Sequence, residues 1–114
     1  LSFSFSISSL CSGSKEVDVS KIIYIESSGH KVTYHIHGKE FGDYVVKSKL
    51  DDIENELKEY KYLLRVHQSY IVNMMYVNNI SSYRVYLKNG IDLGVPKSRY
   101  KEVKKRILEF KENN

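Results

Sequence analysis

Apolar residues in this chain recur at strand period in short runs, each ended by a tight turn, and helical spacing occurs at only two places. Val32, Tyr34 and Ile36 fall on one face of an extended segment, while Thr33, His35 and His37 fall on the other. Gly38-Lys39-Glu40 then turns the chain into a second run at residues 41–46, which predicts a hairpin. Asn89-Gly90 stands between the runs 83–88 and 91–95, and this dipeptide between alternating segments is the strongest short hairpin signal a sequence carries. Further strands are expected at residues 1–7, 17–25, 63–66 and 70–72, with 74–77 following around Asn73. The spacing of Leu50, Ile53, Leu57 and Tyr60 predicts one helix, with Ser48 as its cap and Asp51 and Asp52 at the positive end of its dipole. Lys58 and Lys61 suit its other end. A second helix is expected from about Lys97, with Tyr100, Val103, Ile107 and Phe110 as its apolar stripe. Helices do not alternate with strands, so a doubly wound parallel sheet is disfavoured. The expected class is mainly β with two helices, built from antiparallel sheets.

At 114 residues the chain has the length of one domain. No apolar run approaches the roughly 18 to 20 residues that a membrane-spanning helix needs, so no membrane span is expected. Cys11 is the only cysteine, which excludes an internal disulfide framework and a thiolate zinc site. Residues 1–7 lack the basic start of a signal peptide, and serines interrupt the apolar residues. The chain begins at Leu1 rather than at methionine, which suggests that another domain precedes it. The net charge of +4 is unevenly spread. Residues 96–114 hold seven bases and three acids, while residues 1–95 hold eleven of each, so the whole excess lies in the last helix. A local basic surface favours a phosphate-bearing partner.

Catalytic and metal chemistry find little support. His35 and His37 share a strand face but lack the third and fourth ligands of a zinc site. His67 and Ser69 face the same way without a nucleophile elbow or an oxyanion hole, and Cys11 has no base partner. Asp51, Asp52, Glu54 and Glu56 read as a solvated helix face. No enzyme activity, metal or cofactor is expected. Helix-turn-helix units, zinc fingers and ribonucleoprotein motifs are also missing. A basic domain of this composition would read DNA with loops or a helix end. Three polar loops offer themselves: residues 28–31, 67–69 and 96–99.

Several segments carry a family resemblance. They are Ile22-Ile23-Tyr24-Ile25-Glu26, then Ser48-Lys49-Leu50, then Leu64-Arg65-Val66-His67-Gln68-Ser69-Tyr70-Ile71-Val72-Asn73. Leu87-Lys88-Asn89-Gly90 and Leu93-Gly94-Val95-Pro96-Lys97-Ser98-Arg99-Tyr100 complete the set. From about residue 22 to residue 108 the chain resembles the LytTR DNA-binding domain of bacterial response regulators, most specifically in the Arg-x-His-x-Ser-Tyr-x-Val-Asn block. The resemblance implies an elongated β-β-β arrangement of short antiparallel sheets whose loops enter successive major grooves of bent double-stranded DNA. It also implies an N-terminal receiver domain, homodimers on paired repeats, and a cytoplasmic transcription regulator.

Carried over position by position, the resemblance makes His30, Gln68 and Arg99 the base-reading residues, with Lys97 the alternative to Arg99. At position 68 the family more often has Arg or Asn, and Pro96 stands where it commonly has serine. By location, Lys31, Ser69, Lys88, Lys97, Ser98 and Lys101 would contact the DNA backbone. Tyr24, Ile25, Leu64, Val66, Ile71 and Val72 read as core, Asn73 as bonded to backbone in a turn, and His67 as structural. Arg65 fits either role. The alternative function is a protein-interaction or regulatory module of the same fold without DNA affinity.

Overall fold

The computed structural model describes residues 4–9, 13–37 and 44–112. Among them, ten strands and two helices form three antiparallel sheets. β1 (Ser4–Ser9) and β2 (Gly13–Asp18) pair as a hairpin. The central sheet has five strands: β3 (Ile22–Ser28), β4 (Lys31–Ile36), β5 (Tyr44–Lys47), β6 (Leu63–His67) and β7 (Tyr70–Asn73). Their order is β5-β4-β3-β7-β6. β8 (Val77–Ser81), β9 (Arg84–Leu87) and β10 (Asp92–Gly94) make the third sheet. Helix α1 (Leu50–Glu56) joins β5 to β6, and α2 (Lys97–Glu112) follows β10. The expected mainly β class with two helices therefore holds.

Both faces of the central sheet are covered, each by its own core. Ile25, Ile71, Val32, Tyr34, Ile36 and Val46 pack under Leu50, Ile53 and Leu57 of the α1 segment. On the opposite face, Tyr24, Val72, Leu64 and Val66 pack against the third sheet and against Val103 and Ile107 of α2. Burying side chains of that size stabilises by roughly 2 kcal/mol each. β3, like β7, serves both cores, and its register with β4 shifts between Ile22 and Tyr24. A bulge there lets two neighbouring residues lean to one side. Ile22 and Ile25 enter the first core, Ile23 and Tyr24 the second, and all four are buried.

Several sequence expectations need correction. The single strand expected at 17–25 is two strands of different sheets, split by a 3₁₀ turn at Val19–Lys21. Val19 is buried in that turn, which accounts for its strand-like apolar pattern. The first strand is described over Ser4–Ser9, two residues past the expected end at 7, and residues 1–3 lie outside the described residues. The polar residues that follow continue the hairpin, with Ser8 and Ser9 pairing with Ser14 and Gly13. The residues around Cys11 and the start of the 41–46 run also lie outside the described residues. What is described of that run, β5, does pair with β4 as expected.

Ser48 does not cap α1. Lys49 occupies the cap position, accepting through its carbonyl from the N–H groups of Asp52 and Ile53. The helix ends at Leu57, because tight turns then bring Tyr60, Tyr62 and Leu63 back onto the first core. Lys58 and Lys61 thus fall beyond the helix. Residues 74–77 form a 3₁₀ turn, Met74–Tyr76, leading into β8, a strand the sequence hid behind Asn78, Asn79 and Ser81.

Turn chemistry follows backbone sign. Gly90 has φ +90° and closes the β9–β10 connection, where its N–H reaches the Leu87 carbonyl and the Leu87 N–H reaches the Ile91 carbonyl. Asn89 is not at positive φ, so this is a three-residue loop with a glycine bulge rather than a two-residue turn. The β8–β9 turn has both central residues left-handed, Ser82 at φ 53° and Tyr83 at φ 62°. Such a turn usually takes Asn or Gly. Packing holds it here: the Tyr83 ring lies 4.5 Å from that of Tyr100, and its carbonyl accepts from the Val95 N–H at 2.8 Å.

Asn73 is the one buried polar residue among the described residues. Its amide donates to the carbonyls of Ser20 and Ile22 at 3.2 and 2.9 Å, and its oxygen accepts from the Met75 N–H at 2.9 Å. It thereby ties the turn before β3 to the turn after β7. Asn73→Ala strips partners from the Ile22 carbonyl and the Met75 N–H. It is expected to lower stability by about 2 to 4 kcal/mol, seen as a lower urea midpoint at unchanged slope.

Tyr34 is buried under α1, and burial together with the Glu56 carboxylate raises its ionisation well above the ordinary tyrosine value near 10. The unfolded chain loses this proton near pH 10 while the folded chain keeps it. The stability that Tyr34 contributes is therefore complete below about pH 10 and is lost as pH rises above it. A series of urea midpoints is expected to fall above about pH 10, with Tyr34→Phe removing part of that fall.

Candidate nucleic-acid interface

Two turns meet at one end of the central sheet. In the first, Ser28 pairs with Lys31 across Gly29 and His30. Gly29 has φ +62° and His30 is not at positive φ, the glycine-first pattern of a type II′ hairpin turn. This leaves the His30 side chain exposed at the tip, with Lys31 exposed beside it. The His30 carbonyl accepts from the Ser48 N–H at 3.2 Å, so the turn is fastened to the start of α1.

The second turn joins β6 to β7. Glu26 of β3 pairs with Tyr70, and the Ser27 N–H donates to the Ser69 carbonyl at 2.8 Å, which sets this turn beside the first. β6 bulges between Arg65 and His67, so that His67 pairs with Tyr70 and leaves Gln68 and Ser69 at the tip. Nearly every polar group of the turn is engaged from within. The His67 ring accepts from the Ser69 N–H at Nδ1, 3.0 Å, and lies 5.2 Å from the Tyr70 ring. Accepting at Nδ1 places the proton of the neutral imidazole on Nε2. Arg65 Nε donates to the His67 carbonyl at 2.9 Å and Nη2 to the Gln68 carbonyl at 2.6 Å. The Gln68 side chain points out of this scaffold and is exposed.

Arg65 therefore has a structural role. Its Nη1 reaches Asp51 Oδ1 and Glu54 Oε1, each at 2.8 Å, and its side chain is only 9% exposed. Asp51 and Glu54 are not a purely solvated face, as the sequence suggested. The Arg65 pairing could not be read from the chain because the partners are 14 and 11 residues away and on another element.

The third candidate loop leads into α2. Pro96 accepts through its carbonyl from the Arg99 and Tyr100 N–H groups, both at 2.9 Å, and so starts α2. Lys97, Ser98, Arg99 and Lys101 are exposed in and just after its first turn. The last turn of α2 lies at the opposite end of β7 from Gln68: Phe110 and Lys111 border a groove with Met74, Met75 and Lys88, and Lys111 donates to the Asn78 carbonyl at 2.8 Å. Lys88 thus sits with the foot of the central sheet and the end of α2, away from both Gln68 and Arg99.

His35 and His37 do not act together. His35 Nε2 lies 2.9 Å from Glu26 Oε1, and its ring stacks on Tyr24 at 4.1 Å, whereas His37 is exposed beside Tyr76. Among the described residues no group of three His, Cys, Asp or Glu could hold a metal ion. No helix among them is long and apolar enough to cross a membrane.

The architecture is that of an antiparallel β domain presenting two hairpin tips and a basic helix. Residues 12–108 match the model of the LytTr DNA-binding domain, and the chain belongs to that family. The match begins ten residues earlier than the sequence resemblance, taking in β2. Over 97 residues the chain is 33% identical to the "Sensory transduction protein LytT" of Bacillus subtilis (strain 168), a match covering 80% of this chain and 38% of that protein. The chain thus spans well under half the length of that relative. In fold it is similar to the LytTr DNA-binding domain of a putative methyl-accepting/DNA response regulator from Bacillus cereus. The TM-score is 0.69 at 22% identity, over 95% of this chain and 97% of that one.

Proposed function

We propose that this domain binds double-stranded DNA sequence-specifically as the DNA-binding part of a transcription regulator, with its loops reading successive major grooves. The observation that carries this reading is the shared end of the central sheet. His30 and Gln68 stand exposed on two adjacent turns whose backbones are held from inside. Glutamine can bond adenine bidentately in the major groove. Arg99, at the exposed start of α2, is the third reader and can fork onto guanine, with Lys97 the alternative. Lys31, Ser69, Lys97, Ser98 and Lys101 bond phosphates, helped by the free N–H groups at the α2 start. Lys88 is left out of this set, because its neighbours are Met74, Phe110 and Lys111.

The domain works in the cytoplasm, follows an N-terminal receiver domain in a response regulator, and binds paired repeats as a homodimer. The greater length and the sensory-transduction name of the Bacillus subtilis relative support the further, signal-receiving domain.

A random-sequence duplex selection tests the reading: wild type is expected to recover a defined motif, and recovery without any motif overturns it. Gln68→Ala is expected to relax the preference at one position and to weaken binding of the selected site by about 1 to 3 kcal/mol. An unchanged motif removes Gln68 from the readers.

Salt titrations separate the two lysines. Lys101→Ala is expected to weaken all duplexes alike and to lower the salt slope by roughly one unit, while Lys88→Ala leaves affinity and slope near wild type. Equal effects of the two variants would contradict the placement of the interface.

A further inference from the structure

We propose that Arg65 is a positioning residue: it takes no part in contacting DNA and instead fixes the backbone under Gln68, with Asp51 and Glu54 holding its guanidinium in place. This rests on the reading that Gln68 contacts a base. The geometry assigns all three guanidinium nitrogens. Nε and Nη2 donate to the consecutive carbonyls of His67 and Gln68, and Nη1 bonds both α1 carboxylates. A planar fork can serve two carbonyls and two carboxylates at once, and a lysine ammonium cannot reproduce that span. With its side chain 9% exposed and its charge met by two carboxylates, Arg65 has four of its five N–H donors engaged within the domain. The carbonyls it holds belong to the two residues that set the direction of the Gln68 side chain. His67 Nδ1, accepting from the Ser69 N–H, closes the same turn from the other side. Displacement of a reading group by about 1 Å is enough to lose a bidentate contact, so the clamp acts on discrimination rather than on general affinity.

The test compares wild type, Arg65→Lys and the double variant Asp51→Asn/Glu54→Gln. Each is titrated with the duplex selected by wild type and with a scrambled duplex at two salt concentrations. Thermal unfolding of each protein and amide exchange at Ser69 are measured without DNA. The acids are exposed surface residues, so the double variant tests the clamp even if Arg65→Lys folds poorly. Arg65→Lys is expected to cut the ratio of selected to scrambled affinity about tenfold, with scrambled binding and salt slope near wild type and faster exchange at Ser69. The double variant is expected to shift the ratio and the exchange in the same direction by about threefold.

A uniform loss on both duplexes with a salt slope reduced by one would make Arg65 a phosphate contact and overturn the proposal. Tighter binding of both duplexes by the double variant would do the same, since it would reveal a cation that the acids restrain. Faster exchange with an unchanged ratio would also overturn it. If wild type shows no sequence preference, the base-reading function fails instead, and Ser69 exchange still decides whether Arg65 holds the turn.

Discussion

The central sheet buries both of its faces, which gives this small domain two cores, and a bulge in β3 decides which of its residues enters each. Strand period alone would send successive side chains of β3 to opposite faces, Ile22 with Tyr24 and Ile23 with Ile25. The register shift between Ile22 and Tyr24 instead directs Ile22 and Ile25 toward α1, and Ile23 and Tyr24 toward the third sheet and α2. The central sheet is covered on both faces, by α1 on one and by the third sheet and α2 on the other. The position of α2, the basic helix, depends on that second face. Asn73 fixes the same region from the partner strand by bonding the backbone on either side of Lys21, at Ser20 and Ile22, just where β3 begins.

The two ends of the central sheet have different tasks. The foot, around Asn73, Lys21 and His37, is tied by backbone and side-chain bonds that close the core. At the other end the same economy of internal bonding leaves side chains pointing outward. Ser27 donates to Ser69 and Ser48 to His30, so adjacent turns brace each other and α1 starts against them. Turns with few internal bonds would present the same residues in many orientations and would lose the entropy of ordering them on binding. A turn whose carbonyls and amides are already engaged meets its partner with less to lose.

Much of this was legible in the sequence, and the parts that were not share a cause. Period-two runs located β4, β6, β7, β9 and β10, and period 3.6 located α2 and its stripe, because those signals come from residues close together in the chain. The Arg-x-His-x-Ser-Tyr-x-Val-Asn block led to the right family. The bulge in β3 stayed hidden because four successive buried residues look the same as a doubly buried strand. The 3₁₀ turn at Val19–Lys21 was missed because Val19 is buried without being in a strand. β8 was missed because its exposed residues, Asn78 and Asn79, lie side by side at a register shift and break the alternation. For the site, chain-local logic could name His30, Gln68 and Arg99 but could not say which of them stand together. That depends on the β3–β7 pairing, which joins residues more than forty positions apart.

Charge shows the same limit in its sharpest form. Counted along the chain, Arg65 is one of eleven bases balanced by eleven acids, and it lies three residues before Gln68, where a phosphate contact would be welcome. In the fold, its charge is answered by Asp51 and Glu54, and Nε and Nη2 bond the turn itself. The cation nearest the reading tip is thus withdrawn from the long-range field. The outward positive charge is left to Lys31 beside His30 and to the exposed start of α2. Such a division makes physical sense. An arginine bonded to two backbone carbonyls contributes local geometry, while exposed lysines contribute long-range attraction that salt screens readily. Recognition and attraction can then be tuned on separate residues.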